Sequence, residues 1–142
     1  MNTPVFQLIY TSEASEKFLE PDLLRILDDS RRNNTALGVT GMLLYSNERF
    51  IQVLEGSREA VEHLYAKLHG DPRHEATRIV ITRTIAEREF PDWSMGFRKL
   101  SDADIALHPE INDFFSEHFE LDRFREFGSP ARFLLLAFRE VT

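Results

Sequence analysis

An α+β fold with the element order βαββαββ is what this 142-residue sequence predicts. Short apolar segments recur with two-residue alternation, and two longer segments between them carry helical spacing. Polar, glycine- or proline-bearing breaks separate them.

The first strand, Phe6 to Thr11, ends in the polar run Ser12-Glu13-Ala14-Ser15. Pro21 and Asp22 suit the first turn of a helix, where proline loses no needed donor and an acid meets the positive dipole end. That helix is expected to reach about Asn34, with Leu23, Ile26, Leu27, Ser30 and Asn34 on one inward stripe. The stripe turns polar in its last turn, which means either fraying into solvent or a helix end that looks onto a polar ligand. Met42 to Tyr45 and Arg49 to Glu55 read as a hairpin joined by Ser46-Asn47-Glu48. Ser57 caps a second helix with the stripe Val61, Leu64, Tyr65, Leu68, and Gly70-Asp71-Pro72 stops it. A fourth strand covers roughly Arg78 to Ile85, and a short fifth lies near Met95 to Arg98.

This order is that of a ferredoxin-like sandwich, with both helices on one face of a mixed sheet. The third strand is apolar on both faces, so the opposite face needs a cover too. The tail supplies one: a helix from Pro109 with the stripe Ile111, Phe114, Phe115, His118, a break at Gly128-Ser129-Pro130, and a last helix carrying Leu134, Ala137, Phe138 and Val141. Seven of the twelve phenylalanines fall between Phe114 and Phe138, so the tail is expected to pack on the sheet, on a partner, or on both.

Composition narrows the function. A net charge of −7 argues against a general nucleic-acid or anionic-membrane binder, since both need a dense basic surface. Having no cysteine removes disulfides, thiolate metal sites and thiol nucleophiles. The five histidines form no metal-ligand spacing, so no metal is expected. No phosphate-cradling glycine loop and no nucleophile elbow is present. The start lacks a signal-peptide pattern, and the longest apolar run, Phe133 to Phe138, is far short of the roughly 20 residues that span a bilayer. A cytoplasmic domain is the expectation.

One polar residue stands out. In Phe50-Ile51-Gln52-Val53-Leu54, Gln52 shares a strand face with Phe50 and Leu54, while Phe6, Leu8 and Tyr10 share one face of the first strand. A buried amide without partners costs roughly 2–7 kcal/mol, so Gln52 must be hydrogen-bonded. Tyr10 and Gln52 are therefore a structural pair or the floor of a polar ligand site.

Six segments carry a resemblance: Leu8-Ile9-Tyr10-Thr11-Ser12, Ser30-Arg31-Arg32-Asn33-Asn34, Gly38-Val39-Thr40-Gly41, Phe50 to Gly56, Asp71-Pro72-Arg73-His74, and Phe90-Pro91-Asp92-Trp93-Ser94-Met95-Gly96-Phe97. In this order and spacing the chain resembles the BLUF domain, the blue-light sensor that uses FAD. The resemblance covers about Phe6 to Leu100. It implies a flavin-binding domain at residues 1–100 and a two-helix extension at 101–142 packed on the sheet.

By that resemblance the ring of FAD, with FMN as the alternative, lies between the two helices. Tyr10 matches the electron and proton donor, and Gln52 matches the amide that changes orientation or tautomer after light. Asn33 and Asn34 match positions at the polar edge of the ring, and Arg73 and His74 positions near its far carbonyl. Phe50 matches an apolar wall residue; Ile26 and Ser30 match first-helix positions beside the ring. Trp93 and Met95 match the strand-five pair through which the signal leaves. The family implies a photoreceptor rather than an enzyme, signalling through strand five and the tail to a separate protein, and the phenylalanine-rich tail adds the expectation of a homo-oligomer, a dimer or larger. The alternative is a light-independent flavin-binding or protein-interaction module of the same fold.

Overall fold

The computed structural model describes residues 4–15, 20–91 and 95–137. Five strands form one sheet: β1 (Val5–Ala14), β2 (Thr40–Ser46), β3 (Arg49–Gly56), β4 (His74–Ile85) and β5 (Gly96–Lys99). Helix α1 (Glu20–Leu37) joins β1 to β2, and α2 (Arg58–His69) joins β3 to β4. The sheet order is β4-β1-β3-β2-β5, antiparallel except for the β2–β5 pair, which is parallel. This is the expected mixed sheet of a ferredoxin-like α+β sandwich.

Alternation along the central strands sends one apolar set to each face. Leu8, Tyr10, Leu43, Phe50 and Leu54 join Leu23, Ile26, Leu27, Val61 and Leu64 in the helix-side core. Ile9, Met42, Leu44, Ile51 and Val53 join Phe114, Phe124, Phe133 and Leu134 in the tail-side core. The sheet is thus the middle of three layers, which explains why β3 is apolar on both faces.

Several boundaries differ from the sequence expectation. Helix α1 runs one turn past Asn34 to Leu37, and Gly38 follows at φ 70°, the left-handed conformation of a helix terminator. Asn33 and Asn34 therefore sit inside the last turns of α1. Strand β4 begins at His74 rather than near Arg78, because irregularities let it stay paired with β1. The register shifts between Thr11 and Glu13, opposite a stretch where Ala76 takes φ 48°. The β2–β3 hairpin closes through Asn47 and Glu48, at φ 49° and 64°, the two positive angles that match strand twist. Ser57 caps α2 as expected, accepting from the Ala60 N–H at 3.2 Å.

The tail departs most. In place of one helix from Pro109, there are two 3-10 helices, Pro109–Phe115 and Leu121–Phe127. His118, expected on the buried stripe, is exposed in the break between them. A short helix, α3 (Asp102–Leu107), precedes them, held by a capping box in which Ser101 and Asp104 exchange hydrogen bonds. Ser101-Asp102-Ala103-Asp104 is the sequence signal for it, and the pattern reading passes over it. Helix α4 (Pro130–Ala137) follows Gly128; Phe138 and Val141 lie outside the described residues. Rings of Phe114, Phe124 and Phe133 pack at centroid distances of 5.1 and 5.3 Å against the sheet. The aromatic area of the tail is spent on its own sheet, leaving Leu107, Leu121 and Leu136 as its exposed large apolar side chains among the described residues.

Candidate functional site

Between α1 and α2, over the centre of the sheet, lies a cavity of about 370 Å³. Helix α1 lines it with Ile26, Ser30, Asn33 and Asn34, the same face that buries Leu23 and Leu27 lower down. Helix α2 contributes Leu64, Lys67 and Leu68 from the other side. Gln52 and Leu54 of β3 form the floor. Asp71, Arg73 and His74, from the α2–β4 connection and the first residue of β4, close one end. The size is that of a small-molecule site, with apolar walls and a few polar groups.

Gln52 is the link between the cavity and the core behind it. Register pairs Tyr10 with Gln52 across β1 and β3, and both point to the helix side. The Tyr10 hydroxyl donates to Gln52 Oε1, and Gln52 Nε2 donates to Met95 Sδ at 3.4 Å. Tyr10, Gln52 and Met95 are 0 %, 2 % and 1 % exposed. Tyr10 and Met95 do not line the cavity; they reach it through Gln52. Burial, with smaller contributions from Tyr65 and Asp71, raises the Tyr10 pKa far above the ordinary phenol range, so the hydroxyl keeps its proton as a donor. The Met95 carbonyl is held in turn by Arg31 Nε at 3.1 Å, which ties the entry to β5 back onto α1. Trp93 lies outside the described residues.

The far end is ionic. Arg73 pairs with Asp71 at 2.7 Å and with Asp29 at 3.2 Å. Burial works to raise the Asp71 pKa, but the hydrogen bonds and charge of Arg73 outweigh it and hold the carboxyl below its usual range. His74 is buried against the Phe50 ring at 4.9 Å, with Nδ1 2.9 Å from Ser12 Oγ. Burial lowers its pKa more than Asp71 raises it, and Arg73 adds to the lowering. Phe50 is not among the cavity-lining residues; its ring packs against His74, which is.

Of the residues singled out from sequence, Ile26, Ser30, Asn33, Asn34, Gln52, Arg73 and His74 come together on one wall set. From sequence, Leu64 and Leu68 belong to a core stripe, Asp28 and Asp29 to the solvated outer side of α1, and Arg32 and Lys67 have no role at the site; the structure instead brings Asp29 to the cavity, where it pairs with Arg73. Asp29 follows Ile26 by three residues, Arg32 follows Asp29 by three and Lys67 follows Leu64 by three, and that spacing is the signal available for them. Among the described residues no cluster of metal-binding side chains occurs, and no helix is long and apolar enough to cross a membrane.

These residues suit a flat heterocycle with a polar edge. Among the described residues His74 Nε2 is buried with no partner, and Asn33, Asn34 and the Gln52 amide bring donors and acceptors between the apolar walls. Fold and cavity together define a ligand-binding α+β sandwich domain.

Comparison with known proteins gives that domain its family. Residues 5–96 match the model for BLUF, described as sensors of blue-light using FAD. The chain belongs to this family, whose cofactor is FAD. It is 35 % identical over 111 residues to the photoactivated adenylate cyclase subunit beta of Euglena longa, covering 78 % of this chain and 13 % of that protein. It is 32 % identical over 117 residues to the corresponding subunit of Euglena gracilis, again covering 13 % of it. The chain thus spans about an eighth of the length of these curated relatives. Among solved structures, the ground state of BlsA superposes with a TM-score of 0.76 at 28 % identity, covering 97 % of this chain and 91 % of BlsA. The dark state of BlrB, a BLUF protein, gives 0.69 at 33 % identity, covering 78 % and 83 %.

Proposed function

We propose that this chain is a blue-light photoreceptor domain whose switch is the Tyr10–Gln52–Met95 line. FAD is held by Ile26, Ser30, Asn33, Asn34, Gln52, Arg73 and His74, with Phe50 backing the wall. When bound, the flavin supplies blue-light absorption and an electron-accepting excited state. The chain's own part is positional and protonic. Tyr10, kept protonated by burial, holds its proton at Oη toward Gln52 Oε1 and is the residue that yields an electron and that proton. Gln52 has one acceptor and two donors, so turning its amide over exchanges what faces Tyr10, Met95 and the cavity. With the amide reversed, Oε1 would face Met95 Sδ, two acceptors in contact, and that contact no longer holds.

Met95 immediately precedes β5, so its release reaches the edge of the sheet and then the tail. A separate signalling protein and a homo-oligomer are the proposed recipients, engaged through the tail surface that bears Leu107, Leu121 and Leu136. We infer no turnover by this domain. The observation that carries the reading is the unbroken line of contacts from a buried phenol, through one amide, to both the cavity and β5.

An absorption spectrum before and after blue illumination tests it. Purified chain should show flavin bands and a small, reversible red shift. Tyr10→Phe should keep the colour and lose the shift. A colourless protein from flavin-replete cells, or an unchanged photocycle in Gln52→Leu, would overturn the assignment.

A further inference from the structure

Ser12 sits two residues beyond Tyr10, and its hydroxyl is spent on a single partner. Ser12 and His74 are 2 % and 6 % exposed, and Ser12 Oγ lies 2.9 Å from His74 Nδ1. Among the described residues the Ser12 hydroxyl makes no other hydrogen bond. The direction of this bond follows from counting protons. A hydroxyl has one proton to place, and a buried donor left unplaced costs more than an unused lone pair. If Nδ1–H donated to Ser12, the serine proton would have no acceptor among the described residues. If Ser12 donates to Nδ1, the one proton left over is on Nε2 instead, on a ring that lines the cavity, where a ligand can accept it; Ser12 does not line the cavity, so a proton left there has no such outlet.

Nε2 is the atom that is buried without a partner on a ring that lines the cavity. Burial keeps this imidazole neutral, so one nitrogen must be an acceptor and the other a donor. The long β4 makes the arrangement possible. The irregularity between Thr11 and Glu13 brings the first residue of β4 level with the end of β1.

We propose that Ser12 is a positioning residue that locks His74 in its Nε2–H tautomer, so that this end of the cavity presents a donor and selects a carbonyl on the bound heterocycle. The inference rests on the reading of the cavity as the flavin site, and it deepens it by assigning the polarity of one contact. An acceptor at Nε2 would instead call for an N–H or O–H on the ligand.

Nitrogen-15 NMR of histidine-labelled protein reads the tautomer directly, with the His74 signal assigned by its loss in His74→Gln. In the wild-type chain at neutral pH the proton should be on Nε2. Ser12→Ala should give a mixture of tautomers and weaken flavin binding about fivefold to tenfold, the effect of one hydrogen bond. Ser12→Thr, which keeps the hydroxyl, should restore both. A wild-type proton on Nδ1, or a tautomer unchanged in Ser12→Ala, would overturn the assignment. The wild-type measurement decides the point even where a variant fails to fold. Failure of the wild-type chain to bind flavin would sink the photoreceptor reading instead, and the NMR result separates the two.

Discussion

Glu55→Gln probes how the segment between β4 and β5 is held to the sheet. The Glu55 carboxylate is 0 % exposed on the tail side of β3. It accepts from Gln7 Nε2 at 2.7 Å, from the Glu89 N–H at 3.0 Å and from the Phe90 N–H at 2.8 Å. Glu89 goes on to accept from Ser129 Oγ at 2.9 Å, so one chain of contacts joins β1, β3, residues 89–90 and the start of α4. A glutamine of the same shape has one acceptor oxygen. Placed where two donors meet, that oxygen serves Gln7 and Glu89, and the amide group then opposes the Phe90 N–H. Setting buried donor against donor costs about 1–3 kcal/mol. At about 2–4 °C per kcal/mol for a domain near this size, the melting temperature should fall by about 2–12 °C.

The pH dependence gives a second readout. Burial raises the Glu55 pKa, outweighing the Gln7, Phe90 and Glu89 donors that lower it. A group with a raised folded pKa contributes fully below the ordinary carboxylate value, and loses that contribution as pH rises through the folded one. The variant has no such loss. The gap between wild type and Glu55→Gln should therefore be widest in acid and narrow toward neutral pH. Thermal melts at several pH values measure this, and amide exchange at Glu89 and Phe90 should quicken in the variant. Melting within about 1 °C of wild type throughout, with unchanged exchange, would show that this carboxylate does not hold the segment.

Three further outcomes are expected. Met95→Leu keeps volume but removes the sulfur facing Gln52 Nε2, so stability should change by less than about 1.5 kcal/mol while the glutamine amide bands shift in isotope-edited infrared spectra. Unshifted bands would deny the contact. Gly41→Ala places a methyl against the Val53 carbonyl oxygen in the neighbouring strand, beside Gln52, and should cost about 3 kcal/mol or more in urea unfolding. His74 has a lowered pKa, so the stability it contributes is present above the ordinary histidine value and lost as pH falls through the folded one. Wild type should lose stability over that interval, and His74→Gln should flatten the slope; parallel curves would remove His74 as the cause.

Much of the fold is legible because strand and helix periods are local properties. Alternation in residues 50–54 puts Gln52 beside Phe50 and Leu54, and all three face the helices. The 3.6-residue spacing of Ile26, Ser30 and Asn34 likewise puts them on one wall. Boundaries that depend on irregular backbone are not legible in this way. Ala76 with a positive φ, rather than any glycine, keeps His74 in β4, and no propensity foretells it. The tail reads as helical from its phenylalanine spacing, yet tight 3-10 turns bring Phe114 and Phe124 to the sheet face that Phe133 of α4 also meets.

Gln7 shows the division in a single residue. An amide within an apolar strand is visible in the amino-acid order, and its need for a partner follows from desolvation alone. That the partner is Glu55, and that Arg83 Nη1 and residues 89–90 complete the cluster, depends on antiparallel register between segments 48 residues apart. The same holds for Tyr10, Gln52 and Met95. Order and composition along the chain suffice to name a phenol and an amide in core strands, while Met95 is named there only by the family resemblance. Pairing Tyr10 opposite Gln52, and bringing Met95 in from the entry to β5 across β2, takes the assembled sheet, because contacts across strands are set by register and not by sequence distance.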